Sequence, residues 1–235
     1  MKWVAYMPLR GGSKGIPGKN WRLIAGKPLF AWGLEAALDS GIFDSVWAGT
    51  DSDVCAAAVE HYFKGRVGVF RRSPETCTDE ASTEDAMVEF AAAVPFDVLA
   101  TVQATSPMTT SVDFRAARRL FLQRGADSLV TGTRLKRFLW VENDARPYPT
   151  AWAPLNHELG HRPRRQEFDG VLMENGAFYF TSRQILESQR FRLGGRVAFY
   201  EMMPDHDVEA DEKDDWTILE LRLMRRQLTQ RGKTR

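Results

Sequence analysis

The sequence predicts an α/β protein, a mostly parallel β-sheet with helices on both faces. Three observations predict it. Strand-like apolar runs alternate with helix-like runs through the first two thirds of the chain. The 235 residues suffice to bury a sizeable core without disulfides or a structural metal. The balance of 43% apolar and 27% charged residues is that of a globular protein and excludes disorder as the main state.

Trp3 to Leu9 reads as the first strand, followed by a loop holding Gly11, Gly12, Gly15, Pro17 and Gly18. Pro28 to Leu38 reads as a helix, with Pro28 in its first turn and Gly41 at its stop. Phe43 to Gly49 is the second strand, and Asp51 or Ser52 can cap a helix to about Lys64. Arg66 to Phe70 is a short third strand. Ser82 with Asp85 resembles a capping box for a helix to about Ala93. Asp97 to Gln103 is a strand, Ser111 to Arg124 a helix and Asp127 to Thr133 a strand. After about Lys136 the pattern weakens. Residues 142–170 are rich in Pro, Arg, Asn and Asp, a long stretch that suits a functional or interface element. Strand patterns return at Val171 to Thr181 and Arg196 to Met202, and a last helix runs from about Asp214 to Leu228. No domain boundary is visible, so one α/β domain (1–235) with an insertion at 142–170 is expected.

Several function classes drop out on composition. No run approaches the ~20 apolar residues that a bilayer helix needs. Thirty-two basic residues nearly cancel 31 acidic ones, so net charge selects neither nucleic acid nor membrane. Cys55 and Cys77 form no metal spacing and read as free thiols in a reducing compartment. The opening Met1-Lys2-Trp3-Val4-Ala5-Tyr6 reads as strand rather than signal peptide, so a cytoplasmic protein is expected, with a nuclear location left open.

In open parallel sheets ligands bind beyond the carboxyl ends of the strands. After strand one comes Arg10-Gly11-Gly12-Ser13-Lys14-Gly15-Ile16-Pro17-Gly18-Lys19-Asn20. Its glycines let backbone approach a phosphate, and Arg10, Lys14 and Lys19 supply charge for a triphosphate. It is not a P-loop: Ser13 stands where a glycine is needed, and Asn20 replaces the magnesium-holding Ser or Thr. Gln103-Ala104-Thr105-Ser106-Pro107 offers neutral groups for sugar hydroxyls, and equally reads as a turn. Residues 205–215 carry seven carboxylates and one lysine. In extended geometry Glu209 and Asp211 share a side and suit Mg²⁺, while Asp214 and Asp215 suit the cap of the last helix. Arg162-Pro163-Arg164-Arg165-Gln166 reads as a surface patch or a carboxylate partner. His61, His157, His161 and His206 show no ligand spacing; His206 is the exception to watch.

Together these motifs resemble the CMP-N-acylneuraminate synthetases, the cytidylyltransferases that activate sialic acids, and the animal-type enzymes among them. The resemblance runs from Tyr6 to about Leu221. It rests on residues 9–20, Arg71-Arg72-Ser73, 103–107, 162–166, Glu174 to Phe180 and Tyr200-Glu201-Met202. It implies a Rossmann-like nucleotidyltransferase fold, Mg²⁺ and a homodimer, with 142–170 as the dimerisation element. By motif position it implies that Arg10, Ser13, Lys14 and Lys19 hold the triphosphate. Asn20, Ser82 and Arg72 would adjoin the cytidine. Gln103, Thr105, Ser106, Gln166 and Asn175 would contact the sugar acid, with Arg165 lent by the partner subunit. The family's alternating aspartates fall here on Glu209, Asp211, Lys213 and Asp215; Glu209 can still ligate a metal and Lys213 cannot.

The expected function is CTP-dependent activation of a nine-carbon 2-keto sugar acid. Lys19, Arg10 and Asp211 would act at the reacting phosphates, with Glu209 and Asp211 as metal ligands and no sole general base. The alternative is another 2-keto sugar acid: an octulosonate, pseudaminic or legionaminic acid. A rival of another class is a non-enzymatic binder using the basic tail, since Arg222 to Arg235 holds six basic and no acidic residues. Against it, cations also suit a helix C-terminus. Neither a nucleic-acid nor a membrane partner is expected.

Overall fold

A computed structural model describes residues 1–12, 16–142 and 152–233 of the chain. Its seven-stranded sheet is built on β1 (Trp3–Pro8), flanked by β4 (Ser45–Thr50) and β6 (Val98–Val102), both parallel to it. β5 (Gly68–Arg71) closes one edge beside β4. β10 (Val171–Ser182) pairs antiparallel with both β6 and β7 (Ser128–Leu135), and β11 (Val197–Glu201) closes the other edge parallel to β7. The order is β11-β7-β10-β6-β1-β4-β5. One strand of seven therefore runs against the rest. Two small hairpins stand apart: β2 (Leu23–Ile24) with β3 (Lys27–Pro28), and β8 (Trp140–Glu142) with β9 (Trp152–Pro154).

Alternation along β1 sends its side chains to two cores. Trp3, Ala5 and Met7 join the larger core under α1 (Leu29–Ser40), α2 (Asp53–Phe63) and α4 (Ser111–Arg124). Val4 and Tyr6 face the opposite core with Phe90 of α3 (Thr83–Ala93) and Leu186 of α5 (Arg183–Gln189). Helices thus cover both faces. α6 (Lys213–Lys233) buries Trp216, Leu219 and Leu223 against Ile16, Leu29, Trp32 and Met108, so it packs on the loops at one end of the sheet.

The helix signals act as their chemistry requires. Gly41 ends α1 in the left-handed region, which a Cβ disfavours. Ser52 caps α2. Both halves of the capping box are formed at Ser82–Asp85 for α3 and at Thr110–Asp113 for α4. The expected elements are all present with ends shifted by a few residues. The sequence reading did not include α5, the two small hairpins or the 3₁₀ turn at Lys19–Trp21.

The chain runs β1 to β4 to β5 and then returns to β6 on the other side of β1. The loops after β1 and β6 diverge there, which opens a crevice at the carboxyl ends of the strands.

Candidate active site

That crevice holds a cavity of about 370 Å³, lined from the β1 side by Arg10, Gly12, Lys19 and Asn20 and from the β6 side by Gln103 and Thr105. Arg72 and Ser82 complete the wall. Seven of the residues expected to meet CTP or the sugar acid, from separate stretches, thus share one cavity, with Arg10 and Lys19 supplying positive charge. Ser13 and Lys14 lie outside the described residues.

Local structure fixes each side chain. Gly18 turns the chain with φ of +64°, and a Cβ there would lie 3.1 Å from the Trp21 ring. This turn presents Lys19, while buried Asn20 donates to the Arg10 carbonyl at 3.0 Å and closes the loop on itself. The Asp51 carboxylate accepts from Gly11 N–H at 2.8 Å. Arg10 reaches across to Asp79 at 3.0 Å. Arg72 is buried and donates to Thr76, at both its carbonyl and its hydroxyl. The Ser82 hydroxyl accepts from Asp85 N–H at 3.1 Å as the cap of α3, so this residue also serves the helix.

A second cavity of about 340 Å³ shares Gln103 with the first and is lined further by Glu174, Gly176, Tyr179, Arg192 and Glu209. The seam between the two cavities is built by the acidic segment. Ala210 N–H donates to the Thr105 carbonyl at 2.8 Å, and the Thr105 hydroxyl donates to Glu209 at 3.4 Å. Lys19 Nζ donates to Asp211 Oδ1 at 3.0 Å. The segment is not extended, contrary to the sequence reading. A 3₁₀ turn covers Pro204–His206, and Asp211 N–H folds back onto the Glu209 carbonyl at 2.9 Å. The turn points Glu209 inward while Asp211 stays exposed beside Lys19. Burial, reinforced by the Asp211 charge, pushes the Glu209 carboxyl above the usual range. Among the described residues no cluster of three or more His, Cys, Asp or Glu side chains forms a metal cage. Asp214 and Asp215 stand in the first turn of α6, where Asp215 accepts from Glu212 N–H at 2.9 Å.

Other expected residues sit elsewhere. Ser106 is buried, and its hydroxyl has no hydrogen-bond partner among the described residues. Asn175 is buried away from both cavity walls. Its amide donates to the His206 carbonyl at 2.8 Å and accepts from the Thr131 hydroxyl at 2.9 Å. Asn175 therefore holds the strand that carries the site rather than facing the cavity. His206 is structural in the same way: buried, with Nε2 2.7 Å from the Met108 carbonyl. Arg165 and Gln166 are exposed and line neither cavity. In the basic tail, Arg222 is tied to Asp207 at 2.7 Å and Arg226 to the Met108 carbonyl at 2.7 Å.

Sequence reasoning assigned no role to Glu174, Tyr179, Arg192 or Glu84. Tyr179 Oη donates to Glu174. Arg192 lies over the Tyr179 ring at 4.8 Å and makes a two-pronged bond to Glu84, its Nη2 at 3.0 Å from Oε2. Burial alone would raise the Glu84 carboxyl, but the Arg192 bond outweighs it, and Glu84 lies below the usual range. Glu174 and Tyr179 stand within the quoted Glu174–Phe180 motif and could have been found there. The Arg192–Glu84 pair spans 108 residues and leaves no local signal.

The fold and site define a nucleotidyltransferase-type α/β protein. The same fold occurs in a solved CMP-2-keto-3-deoxy-manno-octonic acid synthetase complexed with CTP (TM-score 0.71, 20% identity, covering 96% of this chain and all of that one). A family model described as cytidylyltransferase matches residues 4–222, and the chain belongs to that family. It is 41% identical to the N-acylneuraminate cytidylyltransferase of Oncorhynchus mykiss, over 94% of this chain and 50% of that protein. It is 38% identical to N-acylneuraminate cytidylyltransferase A of Danio rerio, over 92% of this chain and 49% of that protein. The chain thus spans about half the length of these relatives.

Proposed function

We propose that the chain transfers the cytidylyl group of CTP to the anomeric oxygen of a nine-carbon 2-keto sugar acid. The observation that carries this reading is the pair of adjoining cavities. A cation-bearing cavity meets a smaller polar one at a seam where Lys19, Asp211, Thr105 and Glu209 are interlinked. Two reactants seated there would meet at the seam. The relatives' names favour a sialic acid over an octulosonate, since the octulosonate enzyme matches at the level of fold.

In the proposed reaction the anomeric oxygen attacks the α-phosphorus in line. The bond from that phosphorus to the bridging oxygen breaks, pyrophosphate leaves, and the hydroxyl gives up its proton. This needs alignment and charge neutralisation more than covalent participation. Arg10 and Lys19, with Lys14, would neutralise the phosphates, and Asn20, Arg72 and Ser82 would seat the nucleoside. Gln103, on both walls, would align the two reactants.

A divalent cation such as Mg²⁺ fits the donor set. Glu209 and Asp211 are two carboxylates close enough to repel, and Mg²⁺ is commonly held by one or two carboxylates together with substrate phosphates. When bound, the ion would offset phosphate charge. Lys213 opens α6 and contributes no oxygen.

We further read the chain as one cytidylyltransferase domain acting as a homodimer, with the 142–170 insertion as the contact. Its described part, with the β8 strand it pairs with, exposes Trp140, Trp152 and Leu155, each about half accessible. Residues 143–151 lie outside the described residues. No helix among the described residues is long and apolar enough to cross a membrane. Both thiols are free, with Cys55 pushed up to about 11 by burial; this supports placing the protein in a reducing compartment, the cytoplasm.

The test crosses four nucleoside triphosphates with several 2-keto sugar acids and Mg²⁺ and measures pyrophosphate. The expected result is release from CTP alone, and only with a nine-carbon acid. Equal turnover of UTP, or none with any nine-carbon acid, refutes the proposal. A non-enzymatic binder would release none.

A further inference from the structure

The back wall of the second cavity pairs Arg192 with Tyr179, and that pairing has a consequence for which acid is accepted. From it we infer that Arg192, held by Glu84, makes the protein select a nine-carbon acid bearing a hydroxyl, rather than an acetamido group, at the ring carbon opposite the anomeric carbon. This rests on the cytidylyl-transfer reading.

The anomeric carbon must lie at the seam, near Lys19 and Asp211, to meet the α-phosphate. In the six-membered ring of such an acid, C5 lies directly across from the anomeric C2. The C5 substituent therefore reaches farthest from the seam, toward the back wall. Of the residues lining this cavity, Gln103 and Glu209 belong to the seam and Gly176 lies beside Glu209, which leaves Glu174, Tyr179 and Arg192 for the far wall. Its largest carbon surface is the Tyr179 ring, and the Arg192 guanidinium covers that ring at 4.8 Å.

Arg192 is held in place. Glu84 takes its Nε and Nη2 together, and the two side chains keep 20% and 10% of their surface exposed. A guanidinium fixed on both sides cannot swing aside without leaving a largely buried carboxylate unpaired. An acetyl methyl at this wall would meet a Tyr179 ring already covered by Arg192 and would lie against the Glu174 carboxylate and the guanidinium. A hydroxyl can donate to the Glu174 carboxylate and accept from Arg192. Arg192 is thus the selecting residue, and Glu84 is a positioning residue that acts through it.

The experiment compares kcat/KM for two acids that differ only at C5, hydroxyl against acetamido, with CTP and Mg²⁺. Wild type should favour the hydroxyl acid about tenfold or more, the scale of one well-discriminated group. Arg192→Leu uncovers the Tyr179 ring and should lower that ratio about tenfold. Glu84→Gln weakens the clamp without removing the guanidinium and should move the ratio the same way by less; it also serves if Arg192→Leu does not fold. A purely structural role would lower both rates and leave the ratio alone. A wild type that prefers the acetamido acid, or a ratio that neither variant moves, overturns the inference while CTP-dependent pyrophosphate release still stands. No release with either acid overturns the reading beneath it.

Discussion

Lys19 keeps 14% of its side-chain surface exposed and Asp211 keeps 60%, so their ion pair sits at the mouth of the cavity, where water competes with it. Such a pair contributes about 0–1 kcal/mol to stability, and Lys19→Ala should leave the melting temperature close to that of wild type. Its effect on transfer is expected to be larger. Negative charge on the phosphates shifts toward the leaving pyrophosphate as the bond breaks, and a fixed cation gains most then. Removal of a single preorganised group of this kind costs about 100-fold in kcat. Lys19→Ala should therefore lower kcat by about that factor while the KM for CTP changes much less, as steady-state rates would show. A kcat within about twofold of wild type would make Lys19 a surface residue and remove it from the phosphate loop.

Within β10 the pairing register with β7 shifts between Glu174 and Tyr179, and Gly176 lies inside that shift with φ of +59°. A Cβ at Gly176 would sit 2.5 Å from Glu209 Oε2, so the bulge makes room for the acidic turn. Gly176→Ala carries the left-handed penalty of about 1–2 kcal/mol for a residue with a Cβ, a fall of several degrees in melting temperature. It also pushes Glu209 off the seam, so pyrophosphate release should fall by more than that modest instability explains. Unchanged release in a folded variant would take Glu209 out of the reaction. This strand also marks what could be read in the sequence. Its apolar run was visible, but its antiparallel sense was not, because direction is set by the path between elements and not by residue pattern. Helix α5 was missed because seven residues bury only Ile185 and Leu186, too few to show a period. The Ser82–Asp85 capping box was legible because it is written in adjacent residues, and so was the grouping of Arg10, Lys19 and Asn20, which line one cavity. The Glu84–Arg192 clamp and the inward turn of Glu209 were not, because tertiary contact alone creates them.

For the whole molecule, the question is whether one chain makes a complete site. Both cavities are lined from within the chain, yet Arg165 and Gln166 stand exposed and reach neither. They follow the β8–β9 hairpin, whose exposed Trp152 and Leu155 suit the centre of an interface. If that hairpin packs against a second copy, Arg165 can be delivered to the neighbour's sugar cavity, and each site is composite. The expectation is then specific. Arg165→Ala dimers and Lys19→Ala dimers should each be nearly inactive. In a mixed dimer, one site receives both substitutions and the other receives neither. Co-expressed mixed dimers, identified by mass, should recover about half of wild-type activity per dimer where the two sites are independent. Recovery no greater than in either parent variant would mean that Arg165 serves its own subunit. The insertion would then act as a local lid, and pairing of two copies would not be needed to complete the site.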